Sequence, residues 1–240
     1  VSGAPLRGSP LAPGLFLGPG IEIPADTTIG ANVVIHEGVR IGAGVTIQDC
    51  AVIGKGIHLG PHSSASREQP ADTVLGDGVA VLCGAVVFGG ARVEEGAILG
   101  DQSQLRERST IGVGSVVGRG SAIDNDVTIG SGVRIQTNCY VCSHSRLEED
   151  VFVGPGVTMA NDDTMARQPR EAEMAGPLLG RACRVGAGAV LCPGIRIGEE
   201  AFIAAGAVVA ADVPDRAVMI GVPARQVKRV PDADLLGNWR

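Results

Sequence analysis

The sequence is short of aromatic residues, with one Trp, one Tyr and four Phe in 240 positions. An ordinary layered core needs bulky side chains to fill it, so a thick globular interior is excluded. The same scarcity removes the stacking platform on which single-stranded nucleic acid binds. Basic residues are not in excess either. The formal net charge is -6, so a phosphate backbone would be repelled. No apolar run approaches the ~18 residues of a membrane-spanning helix. The opening stretch Val1–Gly14 is rich in Pro and Gly and lacks the basic and apolar regions of a secretory signal. It is read as a flexible tail. Six cysteines are scattered along the chain, which fits reduced thiols and a cytoplasmic location.

Glycine and aliphatic residues fill the space that the aromatics leave. Gly takes 36 positions, roughly twice the usual ~7%. An aliphatic residue returns at every sixth position: Leu17, Ile23, Ile29, Ile35, Ile41, Ile47, Ile53 and Leu59. The series restarts at Leu75 and runs through Val81, Val87 and onward to Met159, and a third run goes from Leu179 to Val209. No polar residue takes that place in any run. Four residues later the side chain is small or β-branched, as at Ala51, Ala85, Ser103, Ser115 and Ala189, and Gly often follows the aliphatic, as at Gly42, Gly112 and Gly186.

A period of six suits neither a helix nor a lone amphipathic strand. It suits a short strand and a turn, three times per coil of 18 residues, wound into a triangular solenoid. The fold class expected is all-β, a parallel β-helix with one protruding loop and a short C-terminal cap. Coils stacked at about 4.8 Å make a rod roughly 45 Å long. The β-helix is expected over residues 15–214, interrupted at 63–74 and 160–178, where the period slips. Residues 215–240 then form the cap and tail, with a short helix at Asp232–Leu236.

Stacking at 18 residues also predicts neighbours. His144 falls between Asp126 and Asp162, all at the fourth place of their hexads. A His within one strand spacing of a carboxylate has an oriented tautomer and a raised pKa, the usual support for a general base. The alternative is a surface His stabilised by acidic neighbours. His36, His58 and His62 lack this setting and are read as surface residues. A zinc enzyme needs three converging His, and no such ladder forms, so no metal is expected. Cys139-x-x-Cys142 has no second pair, and Cys139 stands at a small-residue corner, so it is read as structural. The Gly-x-Gly matches are hexad turns without a following helix and carry no nucleotide-loop meaning.

The hexad pattern resembles the hexapeptide-repeat acyltransferase superfamily. That resemblance implies the left-handed winding, which the usual crossover rule would not give. The run Cys183–Val230, ending in Gly221–Arg225 (GVPAR), looks like the terminal coils of its small-molecule acetyltransferases. The resemblance therefore implies acetyl-CoA as co-substrate, in a groove between subunits of a homotrimer. Ala187, Gly188, Ala204 and Ala205 would expose backbone to the pantetheine, and Arg225, Lys228 and Arg229 would meet its phosphates.

The segment Ile135–Asp162 is similar to a narrower group, the N-acetyltransferases of nucleotide-linked 3-amino sugars. Ile135, Gln136, Asn138, Leu147, Glu148, Phe152, Gly154, Pro155 and Asn161 match. The resemblance implies that Asn161 lies near the reacting amine, with Gln136, Asn138 and Tyr140 on the acceptor. Cys142 stands where that group has Tyr, and several N-terminal coils are extra. The resulting expectation is N-acyl transfer from acetyl-CoA to a small polar acceptor, with His144 and Asp162 handling the proton. A hydroxyl acceptor and a non-catalytic structural β-helix remain alternatives.

Overall fold

The computed structural model describes residues 5–61, 63, 66–68, 72–167, 169 and 173–238. Each hexad makes one short strand, typically two residues long, as at Ile98–Leu99, Gln104–Leu105 and Thr110–Ile111. The strands stack into three sheets. Sheet A has 11 strands, from Arg7–Ser9 to Val208–Val209; sheet B has 11, from Thr28–Ile29 to Arg225–Arg229; sheet C has 8, from Val39–Ile41 to Arg196–Ile197. The chain visits them in the order B, A, C. Partners lie 18 residues apart wherever no interruption intervenes, as with Ile98↔Val116 and Gln104↔Ala122. This is a parallel β-helix, consistent with the left-handed form that the resemblance implies.

Because side chains alternate along a strand, the repeated aliphatic points inward. Ile35, Ile53, Leu99, Ile111 and Leu147 are at most 1% exposed. Burying one such side chain contributes about 1.5–3 kcal/mol, so a rod one side chain thick is stabilised by repetition. Corners must be small because adjacent coils nearly touch there. A Cβ on Gly112 would fall 2.5 Å from the Gly130 carbonyl carbon. The buried corner serines Ser109, Ser115 and Ser121 satisfy their hydroxyls along the stack, whereas the Ser103 hydroxyl has no hydrogen-bond partner among the described residues. Ser115 Oγ donates to the Gly130 carbonyl at 2.8 Å and accepts from the Val133 N–H at 2.9 Å.

The ends and breaks differ from the sequence reading. Arg7–Ser9 is not part of a loose tail: it pairs antiparallel with Leu15–Leu17 and closes sheet A. At the other end Ala217–Ile220 still continues sheet B in parallel, and Arg225–Arg229 folds back on it as a hairpin. The expected helix is two 3-10 turns, Asp232–Asp234 and Leu236–Asn238. The first interruption starts earlier than expected, after Val52–Lys55, and ends at Thr73–Leu75; Leu59 keeps the six-residue spacing without being in a strand. The second runs from Met159 to Leu178. No helix among the described residues is long and apolar enough to cross a membrane.

Candidate functional site

Two edges of sheet A hold most of the residues singled out in the sequence. Along the edge where the chain passes from sheet A to sheet C (the A–C corner), both interruptions leave the helix. Between them lie uninterrupted turns whose polar side chains form a continuous ladder. Glu107 is fully buried, and Arg106 grips it with Nη2 on Oε1 at 2.8 Å and Nε on Oε2 at 3.1 Å. Arg106 also reaches Asp124 on the next coil at 2.8 Å. Arg108, 3.7 Å from Glu107, holds Asp126 through Nε at 2.6 Å and Nη2 at 2.9 Å. The Tyr140 hydroxyl donates to Asp124 at 3.1 Å. Burial, then the Asp124 charge, pushes that phenol up to about 12, so it stays a donor.

His144 occupies the next step of this ladder, exposed and in the left-handed region with φ 64°. Burial pushes the Asp126 carboxyl up, but hydrogen bonds from Arg108 and Asn125 outweigh it, aided by the charges of Arg108 and His144, and hold it below the usual carboxylate range. Asn161 is where the 18-residue stacking puts it: its Nδ2 donates to Ser143 Oγ at 2.6 Å. The expected pairing of His144 with Asp162 is not formed. Asp162 accepts from the Thr164 N–H at 2.7 Å, the Thr164 hydroxyl at 2.8 Å and the Ala166 N–H at 2.7 Å. The reason is local, because the chain turns away just after Asn161 and offers its own N–H groups first. Those bonds hold the Asp162 carboxyl below its ordinary range. Among the described residues no hydrogen bond or ion pair joins His144 to either aspartate. The returning chain passes against His144 at Gly176, where a Cβ would lie 2.4 Å from the Ser145 nitrogen.

The opposite edge, from sheet B to sheet A (the B–A corner), holds Gln136 and Asn138, then Ala187, Gly188, Ala204 and Ala205. At two B–A turns an aspartate on the next coil caps the turn amide: Asp49 accepts from Ala31 at 2.7 Å and Asp101 from Cys83 at 3.2 Å, whereas the equivalent Asp49, Asp101 and Arg119 amides have no acceptor among the described residues. At Ala187 the corresponding residue is Ala205, so its N–H has no acceptor among the described residues. Gly186 allows this close stacking, since a Cβ there would lie 2.4 Å from the Ala205 nitrogen. Tyr140 sits on the outer face of sheet A between the two edges, 40% exposed. Arg225, Lys228 and Arg229 lie on the exposed C-terminal hairpin strand. Lys228 lines a cavity of about 320 Å³ with Arg184, Phe202 and Val218 on sheet B.

Other residues singled out in the sequence fall outside this arrangement. Cys139 and Cys142 are buried and free, and burial pushes both thiols up, Cys142 to about 11. Neither is a thiolate nucleophile at neutral pH. His36 is half-buried, which lowers its pKa against the opposing pull of Glu37, so it is not the plain surface residue expected. His58 is exposed, and His62 lies outside the described residues. Among the described residues no group of three or more His, Cys, Asp or Glu is placed to hold a metal. Sequence reasoning overlooked Arg106, Glu107 and Arg108. Their signal was present as RER at 106–108 and DND at 124–126, one coil apart.

Fold and corners together define a β-helix on a six-residue repeat whose Ala187 turn amide has no acceptor among the described residues. The bacterial transferase hexapeptide (six repeats) family model matches residues 20–55 and 176–211 of this chain. A 2,3,4,5-tetrahydropyridine-2,6-dicarboxylate N-acetyltransferase of Enterococcus faecalis is 52% identical over 48 residues, 20% of this chain and 21% of that protein. A galactoside O-acetyltransferase of Lactococcus lactis is 40% identical over 50 residues, 21% of this chain and 24% of that one. The matched stretches thus span about a quarter or less of these relatives. The solved UDP-N-acetylglucosamine acyltransferase from Campylobacter jejuni aligns with TM-score 0.69 at 16% identity, covering 84% of this chain and 75% of its own. At that identity the likeness is one of fold.

Proposed function

We propose that this chain transfers an acyl group, acetyl in the first instance, from acetyl-CoA to the amino group of a nucleotide sugar or similar polar metabolite. The observation that carries the reading is the uncapped backbone of the Ala187 turn, within the residues 176–211 that match the family model. A pantetheine amide fits such a strip because it supplies the missing acceptor. Ala187, Gly188, Ala204 and Ala205 form the strip, and Arg225, Lys228 and Arg229 meet the phosphates of coenzyme A. No resident metal enters this chemistry. An acetyltransferase similar to part of this chain acts on nitrogen, in keeping with the likeness to amino-sugar N-acetyltransferases.

On the acceptor side Asn161, held by Ser143, positions the amine and Tyr140 contacts the rest of the acceptor, while Gln136 and Asn138, on the B–A corner, reach it from a facing copy. The amine lone pair attacks the thioester carbonyl carbon, backbone N–H groups hold the oxyanion, and the C–S bond breaks. His144 takes the proton from the attacking nitrogen and returns it to the departing thiolate. Asp162 acts by fixing the turn that presents Asn161, and Asp126 supplies the negative field at His144.

Reacting atoms must come within about 3–3.5 Å, yet the donor and acceptor edges of one chain lie on opposite sides of sheet A. A second copy that sets its B–A corner against this A–C corner closes the gap. The outer face of sheet A, with Phe16, Val34, Val86 and Val190, offers the apolar surface for that contact. We read the assembly as a homotrimer of the cytoplasm.

The test is thiol release from acetyl-CoA with a panel of amino-sugar nucleotides, together with a thermal-shift titration. Absence of release with every amine, and of any rise in Tm at saturating acetyl-CoA, would leave a structural β-helix. A second reading, transfer to a hydroxyl, is favoured by the galactoside O-acetyltransferase match. It needs His144 more strongly, because an alcohol is the poorer nucleophile.

A further inference from the structure

The free cysteines divide by exposure. Cys139, Cys142 and Cys183 are buried and Cys192 is half-buried, whereas Cys50 and Cys83 are exposed. Burial pushes the three buried thiols up, away from the thiolate that exchange chemistry needs. The two exposed cysteines stand together. Ile47 pairs with Val81, and Val52 with Val86. On successive coils of the B–A corner Asp49 therefore faces Cys83, and Cys50 faces Gly84. The Gly84 N–H donates to the Asp49 carbonyl at 2.9 Å, which fixes this register. Cys50 and Cys83 are diagonal neighbours, with Cα atoms roughly 6 Å apart by one strand spacing across and one residue along. A disulfide spans roughly 4.4–6.8 Å between Cα atoms.

Direction matters as much as distance, and the turn sets it. In the column of Asp49 and Cys83, side chains aim at the coil before: Asp49 reaches the Ala31 N–H at 2.7 Å and Asp101 the Cys83 N–H at 3.2 Å. In the column of Cys50 and Gly84 they aim at the coil after, since a Cβ on Gly14 would lie 3.3 Å from Asn32 Cα. Cys50 has φ 61°, close to the 67° of Gly14, so its Cβ takes the same course. The two cysteine side chains thus enter one gap between coils from opposite sides, and Gly84 brings no side chain to fill it. The Asp49 N–H opens on that gap and has no acceptor among the described residues. It is placed to donate to a Cys83 sulfur that has lost its proton. Among the described residues no group of three or more ligands is placed to hold a metal, so the pair is a dithiol. It also brackets the first interruption, which leaves after Val52–Lys55 and returns at Thr73–Leu75.

We propose that Cys50 and Cys83 form a redox modification site, a dithiol that a low-molecular-weight disulfide such as oxidised glutathione converts to a disulfide across the two coils. The Cys83 thiolate attacks one sulfur of the oxidant, whose S–S bond breaks and releases one glutathione thiolate. The Cys50 thiolate then attacks the Cys83 sulfur of this mixed disulfide, and the second glutathione thiolate leaves. The protein gives up two protons and two electrons, and the oxidant takes them as two thiols. The bond closes the stretch of chain that holds the first interruption. The site stands independently of the acyl-transfer reading.

The test is peptide mapping of the full chain after incubation with oxidised glutathione. The Cys50 and Cys83 peptides should be recovered joined, with the intact mass lower by two hydrogens, and dithiothreitol should separate them. Because such a bond constrains the unfolded chain, the oxidised protein should melt above the reduced one. In Cys50→Ser the link should be lost and Cys83 should retain one glutathione. Cys50 is exposed, so this variant folds, as an unchanged Tm under reducing conditions will verify. The proposal is overturned if wild type keeps glutathione separately on both cysteines, if the new bond joins two chains, or if neither thiol reacts.

Discussion

The two edges of sheet A are built from the same hexad rule yet have opposite physical character. The A–C corner between the interruptions is crowded with charge: buried Glu107 is clamped by Arg106 and Arg108, which in turn hold Asp124 and Asp126. The B–A corner at the terminal coils carries alanine and glycine and leaves backbone amides uncovered. A tolerant repeat can thus make one edge rigid and polar and another bare, provided the inward aliphatic is kept. The first edge can hold and orient a polar acceptor; the second can meet an extended amide-rich chain.

Substitutions that exchange these characters give the sharpest tests. Glu107→Ala should have the largest effect, because it leaves two arginines without their buried partner. Breaking a buried ion pair from one side costs about 3–5 kcal/mol, and urea unfolding will measure it. A loss under 1 kcal/mol would mean that the ladder is ornamental to stability. His144→Ala should lower kcat about 100-fold with little change in Tm, read from steady-state thiol release. Unchanged turnover at every pH would end its role in proton transfer. Ala205→Asp copies the cap that Asp49 and Asp101 give the early coils, and should raise the KM for acetyl-CoA about tenfold as it occupies the Ala187 N–H. Asp101→Ala, the converse change in an exposed cap, should cost about 1 kcal/mol and leave kinetics alone.

Asp126→Asn probes the ladder through pH. The native carboxyl is held below its ordinary value, so its contribution is present above the unfolded pKa of about 3.9 and is lost as pH falls through the folded value. Wild type and variant should differ in Tm at pH 7, begin to converge as pH falls past about 4, and meet only below the folded value. A constant difference across that range would show that Asp126 acts by packing.

Much of this was legible in the chain. The spacing from Ile29 to Val209 gave the coil and the register; that Asn161 bonds Ser143 was not foreseen, although the two stand 18 residues apart. The register predicted His144 beside Asp126. It failed for Asp162, because stacking arithmetic places a Cα and says nothing of where a carboxylate finds its donors. Thr164 and Ala166 were nearer in the chain than His144 was in space. The hairpin of Arg7–Ser9 on Leu15–Leu17 was hidden because a strand that closes a sheet end needs no hexad pattern. The β-bulge at Gly54, where Phe88 pairs with Lys55 instead, was hidden because its glycine looks like any other hexad glycine until Val39 is packed against it.

Composition and period alone determined a thin aliphatic rod with small corners, since nothing thicker can be filled by these side chains. They also determined which residues share a corner, because a constant coil length turns sequence separation into vertical distance. Only the tertiary structure decided that both interruptions leave from one corner, that Glu107 is buried between two arginines, and that the Ala187 amide is bare while the Ala31 amide is capped. Those outcomes depend on side-chain hydrogen bonds between neighbouring coils, and such bonds are set by local geometry that the six-residue pattern leaves free.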